Sequence, residues 1–101
     1  MEKSGPRLRA SRKRQQVLLS LLRQIREEYD LRQIDVAQRL GCPQSVVSKY
    51  ENGERRLDLL ELYDLCSAVG ISMTALVKRF EKEVSRISQQ PPKRRTKVGL
   101  R

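Results

Sequence analysis

Residues 33–53 read QIDVAQRLGCPQSVVSKYENG, and the apolar, glycine and proline positions in them predict two short helices joined by a turn. Apolar side chains three or four positions apart predict a short helix from position 32 or 33 to Leu40, and Gly41 accepts the left-handed conformation that ends a helix. Pro43 can open another helix, because the first turn needs no N–H partner, and Gly53 closes it. The predicted inner faces are Val36, Ala37 and Leu40 in one helix, and Val46, Val47 and Tyr50 in the next.

Helical spacing continues on both sides of this stretch. A first helix is predicted from about Gln15 to Tyr29. Asp58, with Glu61 three residues later, has capping-box spacing and opens a fourth helix, and Ser72 caps a fifth. No segment alternates with period two, so we predict an all-α, compact five-helix domain. The apolar stripes are Leu18, Leu21, Leu22, Ile25 and Tyr29 in the first helix, Leu62, Leu65, Cys66 and Val69 in the fourth, and Met73, Leu76, Val77, Phe80, Val84 and Ile87 in the fifth.

Charge divides the 101 residues into three parts. The net charge is +10, yet residues 17–80 carry nine basic and nine acidic side chains, so the excess lies at the two ends. The ends contain proline, glycine and few apolar residues, and they cannot bury enough apolar surface to offset their chain entropy. We therefore predict a flexible basic N-terminal arm at residues 1–14, a helical domain at residues 15–88 and a basic C-terminal tail at residues 89–101.

The composition excludes several classes of protein. Histidine is absent and the cysteines, Cys42 and Cys66, lie far apart, so we expect no zinc or haem site, no cofactor and no histidine-dependent catalytic set. We expect no enzyme. No run of 18 apolar residues exists to span a membrane. Two cysteines do not form a disulfide scaffold, which favours the reducing cytoplasm. Cys66 is predicted in the core, and a redox role for Cys42 is disfavoured because no sequence feature indicates a reactive thiol there.

Several motifs follow one another in IREEYDLRQIDVAQRLGCPQSVVSKYENGERRLDLLELYDLCSAVGIS, residues 25–72. In order they are an Arg in the first helix, Gln-x-x-x-Ala, a Leu-Gly turn, Gln-Ser-x-x-Ser-Lys, Glu-Asn-Gly and Leu-x-x-Leu-x-x-x-Val-Gly. Over about residues 17–80 the chain resembles the phage-repressor-like (Cro/C1-type, XRE) helix-turn-helix family. The resemblance implies that the second and third helices form the helix-turn-helix and that the third helix lies in the major groove of DNA.

The third helix carries the candidate base-reading residues. A glutamine amide can bond adenine, a lysine suits guanine, and a serine hydroxyl can meet either kind of base edge. The four candidates share one face, opposite the apolar residues, although a solvated polar face is the alternative interpretation. The predicted base-reading residues are Gln44, Ser45, Ser48 and Lys49.

The resemblance implies contacts to DNA phosphates at the start of the second helix and in the loop after the third. The second helix offers N–H groups to an anion, but Arg32 replaces the usual N-cap Ser or Thr, so the cap bond should be lost. The alternative for Gln33 is an ordinary first-turn residue, and for Arg55 and Arg56 it is solvation. The predicted phosphate contacts are Arg32, Gln33, Asn52, Arg55 and Arg56.

Two further sets of residues have structural interpretations. The family commonly pairs an arginine of the first helix with the glutamate before Asn-Gly, which implies a partly buried ion pair between Arg26 and Glu51. The apolar stripe of the fifth helix is longer than a minimal domain needs, which favours a dimer interface at Phe80, Val84 and Ile87. Packing of that stripe on the core is the alternative.

The predicted function is sequence-specific binding of double-stranded DNA as a transcriptional regulator, a homodimeric repressor that reads an inverted repeat. The protein would then be cytoplasmic and associated with the nucleoid. An antitoxin of a toxin–antitoxin pair, or a controller protein of a restriction system, would have the same size and fold. A module of another class, coactivator-like, would bind protein or RNA. A protein partner would bind through the arms or the fifth helix.

Overall fold

The fold is determined by five helices and the residues that end them. A computed structural model describes the backbone of residues 6–88 and the side chains of residues 11–87. The helices are α1 (Pro6–Glu28), α2 (Gln33–Leu40), α3 (Gln44–Asn52), α4 (Leu59–Val69) and α5 (Met73–Ser88). No strand occurs within residues 6–88. The predicted all-α five-helix domain is confirmed, whereas the predicted C-terminal tail and residues 1–5 lie outside the described residues.

The predicted helix ends are formed by local hydrogen bonds and left-handed glycines. Gly41 and Gly53 adopt φ values of 73° and 79° after α2 and α3. Asp58 accepts a hydrogen bond of 2.7 Å from the Glu61 N–H, and Glu61 accepts one of 3.0 Å from the Asp58 N–H. Ser72 Oγ accepts a bond of 3.1 Å from the third residue of α5. These caps begin and end the helices at the positions expected from the sequence.

The first helix differs from its predicted bounds at both ends. It begins at Pro6 rather than about Gln15, so most of the predicted flexible N-terminal arm is helical in the structure. Proline fits the first helical turn, and the Arg, Lys and Gln side chains that follow are good helix formers, so this part needs no burial to be helical. Residues 11–16 are exposed. The sequence prediction relied on apolar spacing and therefore missed this extension.

At its other end α1 stops before Tyr29. Asp30 has the left-handed φ of 57°, and the Leu31 N–H bonds back to the Arg26 carbonyl oxygen at 3.1 Å. Tyr29, predicted on the inner face, is exposed and lies over Gly70, whose Cα would place a Cβ 3.5 Å from the ring. The turn therefore directs the chain into α2 without burying Tyr29.

The core lies where all five helices meet. α2 packs on α3 and α4, while α1 packs on α3 and α5. Each large apolar side chain removed from water here contributes about 1.5–3 kcal/mol. Val77, a member of the predicted apolar stripe of α5, is exposed, whereas Phe80 packs partly against the core. The core cluster comprises Leu21, Leu22, Ile25, Val36, Ala37, Val47, Leu65, Cys66, Ala68, Val69 and Leu76.

Among the described helices, none is by itself long and apolar enough to cross a membrane. α4 and α5 meet that length and composition only when taken together, across a bend of 106°.

Candidate nucleic-acid interface

One face of α3 is exposed while the other holds it to the body. Val47 and Tyr50 are buried, and they fix the helix against the core. Pro43 precedes the helix without a side-chain cap, as its lack of a polar side chain predicts. Of the four predicted base-reading residues, Gln44, Ser45 and Lys49 are exposed, whereas Ser48 is half-buried. α3 therefore presents an amide, a hydroxyl and an ammonium group to solvent.

Arg26 and Glu51 form an ion pair behind this face. Arg26 Nε lies 2.6 Å from Glu51 Oε2, and Arg26 Nη2 lies 3.0 Å from Glu51 Oε1. The third donor, Nη1, bonds the Leu31 carbonyl oxygen at 2.8 Å. The hydrogen bonds to Glu51 raise the pKa of Arg26, outweighing the opposing effect of burial. The pair joins α1 to the end of α3 with geometry that suits a guanidinium and a carboxylate.

Gln33 connects that ion pair to the exposed face. Its Nε2 donates a hydrogen bond of 2.9 Å to Glu51 Oε1, and its Oε1 accepts one of 2.7 Å from Gln44 Nε2. The sequence predicted Gln33 as a phosphate contact and did not predict its bond to Gln44. The only signal was that both residues begin neighbouring helices. Gln44 is thus held at the exposed start of α3 by hydrogen bonds that run through Gln33 to Glu51.

Arg32 is engaged by Asp35 at the start of α2. Arg32 Nη2 donates to Asp35 Oδ1 at 2.9 Å, and Asp35 Oδ2 accepts the Arg32 backbone N–H at 2.8 Å. These two kinds of hydrogen bond lower the pKa of Asp35 to about 2. The Arg32 side chain forms no cap bond, as predicted, but Asp35 supplies the reverse half of a capping box. The Arg32 guanidinium nevertheless stays exposed.

The loop after α3 places its two arginines differently. The Arg55 guanidinium carbon lies 5.4 Å from the centre of the Tyr50 ring, and Arg55 Nη2 lies 4.0 Å from Glu61 Oε2. The Tyr50 hydroxyl donates a bond of 2.9 Å to Glu61, and burial followed by this bond raises the pKa of Tyr50. Arg55 therefore packs on the domain with its guanidinium half-exposed, while Arg56 and Asn52 are exposed.

The predicted dimer residues are only in part available at the surface. Phe80 and Val84 are half-buried, whereas Ile87 is 51% exposed at the end of α5. A more exposed apolar cluster, which the apolar spacing of the sequence does not predict, occupies the start of α4. The helical stripe accounted for the inner face of α4 and did not indicate which apolar residues lay beyond the core. The cluster comprises Leu59, Leu60 and Tyr63, which are 69%, 74% and 57% exposed.

The cysteines have packing roles in the structure. Cys66 is buried, and burial raises the pKa of its thiol, which makes the reactive thiolate less accessible. Cys42 is half-buried in the turn and packs against the core. Within the described part of the chain, no group of three or more His, Cys, Asp or Glu side chains is arranged to hold a metal ion.

Comparison with known proteins supports the same architecture. A helix-turn-helix family model matches residues 22–76. The solved structure of an XRE-family like protein from Pseudomonas syringae pv. tomato str. DC3000 has 44% sequence identity and a TM-score of 0.69, over 72% of this chain and 89% of that one. None of the curated proteins matches the chain. The family model spans more than half of the chain, and α2 and α3 form the motif that it describes. The chain belongs to the XRE family of Cro/C1-type helix-turn-helix proteins, DNA-binding transcription regulators.

Proposed function

We propose that this chain is a homodimeric repressor that reads an inverted repeat in double-stranded DNA with α3 in the major groove. The observation that carries the proposal is the position of Gln44. Its amide lies at the exposed start of α3 and is held by Gln33, which is itself bonded to Glu51. A pre-positioned glutamine amide suits the adenine edge, because it can bond N6 and N7 together.

Residues on either side of Gln44 complete the proposed base-reading face. Ser45 and Lys49 are exposed on the same side of α3 and offer a hydroxyl and an ammonium group to base edges. Ser48 is half-buried, so less of its side chain is open to a base edge than for its exposed neighbours. This set discriminates among base pairs through hydrogen-bond patterns that differ in the major groove.

Phosphate contacts would fix the register of α3 without reading sequence. The start of α2 carries Arg32 and Gln33, and its backbone N–H groups favour an anion. The end of α3 carries Asn52, and the loop after it carries Arg55 and Arg56. These side chains would contact phosphates of the adjacent DNA strand. Arg32 must share its guanidinium between Asp35 and a phosphate, since the two lie on the same exposed surface.

A homodimer would place two α3 helices on successive major grooves, about 34 Å apart. We propose that α5 supplies the interface through Phe80, Val84 and Ile87. Ile87 at the exposed end of the helix supports this assignment, while the burial of Phe80 reduces its share of the contact. Repression then follows from occupancy of the inverted repeat in the cytoplasm.

Selection of bound sequences from a random duplex pool tests the proposal. Wild-type protein is expected to recover an inverted repeat, and Gln44→Ala and Lys49→Ala to lose preference for it while binding to unrelated duplex survives. Gln38→Ala on α2 and Lys78→Ala on α5 are the matched controls, since both residues are exposed and lie outside the proposed face. If the preference survives Gln44→Ala and Lys49→Ala, direct readout by α3 is wrong. If wild type recovers no sequence, an interaction module for protein or RNA becomes the better interpretation.

A further inference from the structure

The end of α3 lies against α1. A Cβ placed on Gly53 would come within 3.1 Å of Leu19 Cδ1, so the chain passes α1 at close range. Gln16, Leu19 and Arg23 of α1 line a groove whose other side includes Asn52. Two carboxylates also line it: Glu27, and Glu51, which is paired with Arg26. Arg23, on this edge of α1, therefore lies next to the end of α3, the proposed DNA-reading helix.

That groove opens on the proposed DNA side of the molecule. Asn52 follows Ser45 by seven positions and Ser48 by four, so helical geometry places it on the same face of α3. Ser45 and Asn52 are exposed on the side of α3 away from the buried Val47, while Ser48 lies half-buried at the edge of that face. A duplex in contact with that face would pass the mouth of the groove.

The face of α1 that lines the groove continues into the basic extension. Arg12, Gln16, Leu19 and Arg23 are spaced by four, three and four residues, which keeps them on one side of the helix. Arg12 is exposed, and it lies about three turns before Arg23, about 16 Å along the axis. That distance corresponds to about five base-pair steps of a DNA strand.

We propose that Arg12 and Arg23 form a phosphate-binding strip that follows the DNA backbone beyond Asn52. The N-terminal extension of α1, which begins at Pro6, is the rigid support that keeps Arg12 in position. The proposal rests on the proposed DNA-binding function and deepens it. A helical strip of this kind would contact defined phosphates. A flexible basic arm would instead add only diffuse positive charge. The partner chemistry is the phosphodiester backbone of double-stranded DNA.

The present partner of Arg23 does not block this role. Arg23 Nε lies 3.7 Å from Glu27 Oε2, and the two side chains are 67% and 61% exposed. Such an exposed pair within one helix is weak, so a DNA phosphate can compete with Glu27 for the guanidinium. The charge needed for the strip is therefore already at the surface.

Arg14 supplies a matched control on the same segment. It is two residues after Arg12, which places it about 200° around the helix, in line with Leu18 and Leu21 rather than with the groove. Both arginines are exposed, so replacing either one removes the same charge, although Arg14 also donates a long hydrogen bond of 3.5 Å to Ser11 Oγ. Only Arg12 lies on the side of the proposed strip.

The experiment measures how DNA affinity of the full chain depends on salt, on the selected duplex and on an unrelated duplex of equal length. Arg12→Ala and Arg23→Ala are each expected to reduce the slope of log K against log salt by about 0.9, the value for one phosphate. Both should weaken the two duplexes by similar factors and leave the selected sequence unchanged. Arg14→Ala should leave the slope at its wild-type value.

A further variant tests whether Arg12 depends on the helical N-terminal extension of α1. Gln15→Pro restarts the helix at that position, because proline fits a first turn, and it keeps every charge of the N-terminal segment. It is expected to reduce the slope as Arg12→Ala does, with thermal unfolding reporting that the domain remains folded. Equal slope changes in Arg12→Ala and Arg14→Ala, or a wild-type slope in Gln15→Pro, would overturn the strip. The salt slope can also be measured on the unrelated duplex, so the test of the strip does not depend on sequence selection. A failure of sequence selection would instead overturn the proposed function.

Discussion

Arg26 and Glu51 join the first helix to the end of the third through two hydrogen bonds of 2.6 and 3.0 Å. The Glu51 side chain is only 7% exposed, so its charge is taken out of water and balanced by one partner. Gln33 shares the same carboxylate, through a bond of 2.9 Å, and passes this constraint to Gln44. A structural ion pair and the proposed base-reading residue thus belong to one connected set of bonds.

Glu51→Gln is expected to lower the free energy of unfolding by about 3 kcal/mol, because it leaves the nearly buried Arg26 without a compensating charge. Urea denaturation gives this value directly. Glu27→Gln is the control, since the exposed Arg23–Glu27 pair should contribute less than about 1 kcal/mol. A Glu51→Gln variant as stable as Glu27→Gln would contradict a stabilising role for the pair.

Gln33→Ala is expected to weaken binding to the selected duplex by roughly 2- to 10-fold, the effect of one net hydrogen bond, and to weaken unrelated duplex less. The reason is that Gln44 loses the acceptor that holds its amide. Fluorescence anisotropy with both duplexes measures the difference. An equal loss on the two duplexes would mean that Gln33 contacts phosphate and does not orient Gln44. Gln38→Ala on the same helix controls for a general effect on α2.

Asp58→Ala is expected to lower the free energy of unfolding by about 1 kcal/mol, because the Glu61 N–H loses its cap acceptor at the start of α4. Thermal or urea unfolding measures the change. Asp64→Ala, at an exposed position inside the same helix, should be near neutral or slightly stabilising, since alanine is the better helix former. Equal destabilisation by both variants would remove the cap as the explanation.

The dimer assignment is tested by charge placed on two apolar surfaces. Ile87→Glu is expected to shift the sedimenting species from dimer to monomer, because an unpaired carboxylate would be buried in the proposed α5 interface. Leu60→Glu places the same charge in the exposed cluster at the start of α4. If Leu60→Glu dissociates the dimer and Ile87→Glu does not, the interface lies on α4, and a monomeric wild type on its DNA excludes both.

Stability should fall at acid pH because of Glu28. Hydrogen bonds from Arg79 and Gln24 lower the pKa of Glu28 from 4.5 to about 2. A carboxyl whose pKa is lower when folded stabilises the protein above its unfolded pKa, and that contribution is lost as pH falls from about 4.5 toward 2. Denaturation curves over this range should therefore be less pH-dependent for Glu28→Gln. Glu81→Gln, at an exposed position on α5, controls for the loss of one carboxylate.

The elements that the sequence predicted well are those decided by neighbours along the chain. Gly41 and Gly53 end helices because left-handed backbone is accessible to glycine, and Asp58 and Glu61 cap α4 over three residues. A period of 3.6 residues places Val47 and Tyr50 inside and Gln44, Ser45 and Lys49 outside in α3, whereas Val46 and Ser48 are both half-buried. The start of α1 was missed because a solvated basic helix has no apolar spacing, only helix propensity.

By itself, the sequence predicts the number of helices, the family, the caps at Gly41, Gly53 and Asp58, and three of the four side chains that α3 exposes, but not the partial burial of Ser48. The tertiary structure alone decided which groups meet across helices. The bonds from Gln33 to Glu51 and Gln44, the exposure of Leu60 and the groove between Arg23 and Asn52 all depend on how the helices pack. The physical reason is that hydrogen-bond caps and helical periodicity act within a few residues, whereas contacts between helices require the positions of distant segments in space.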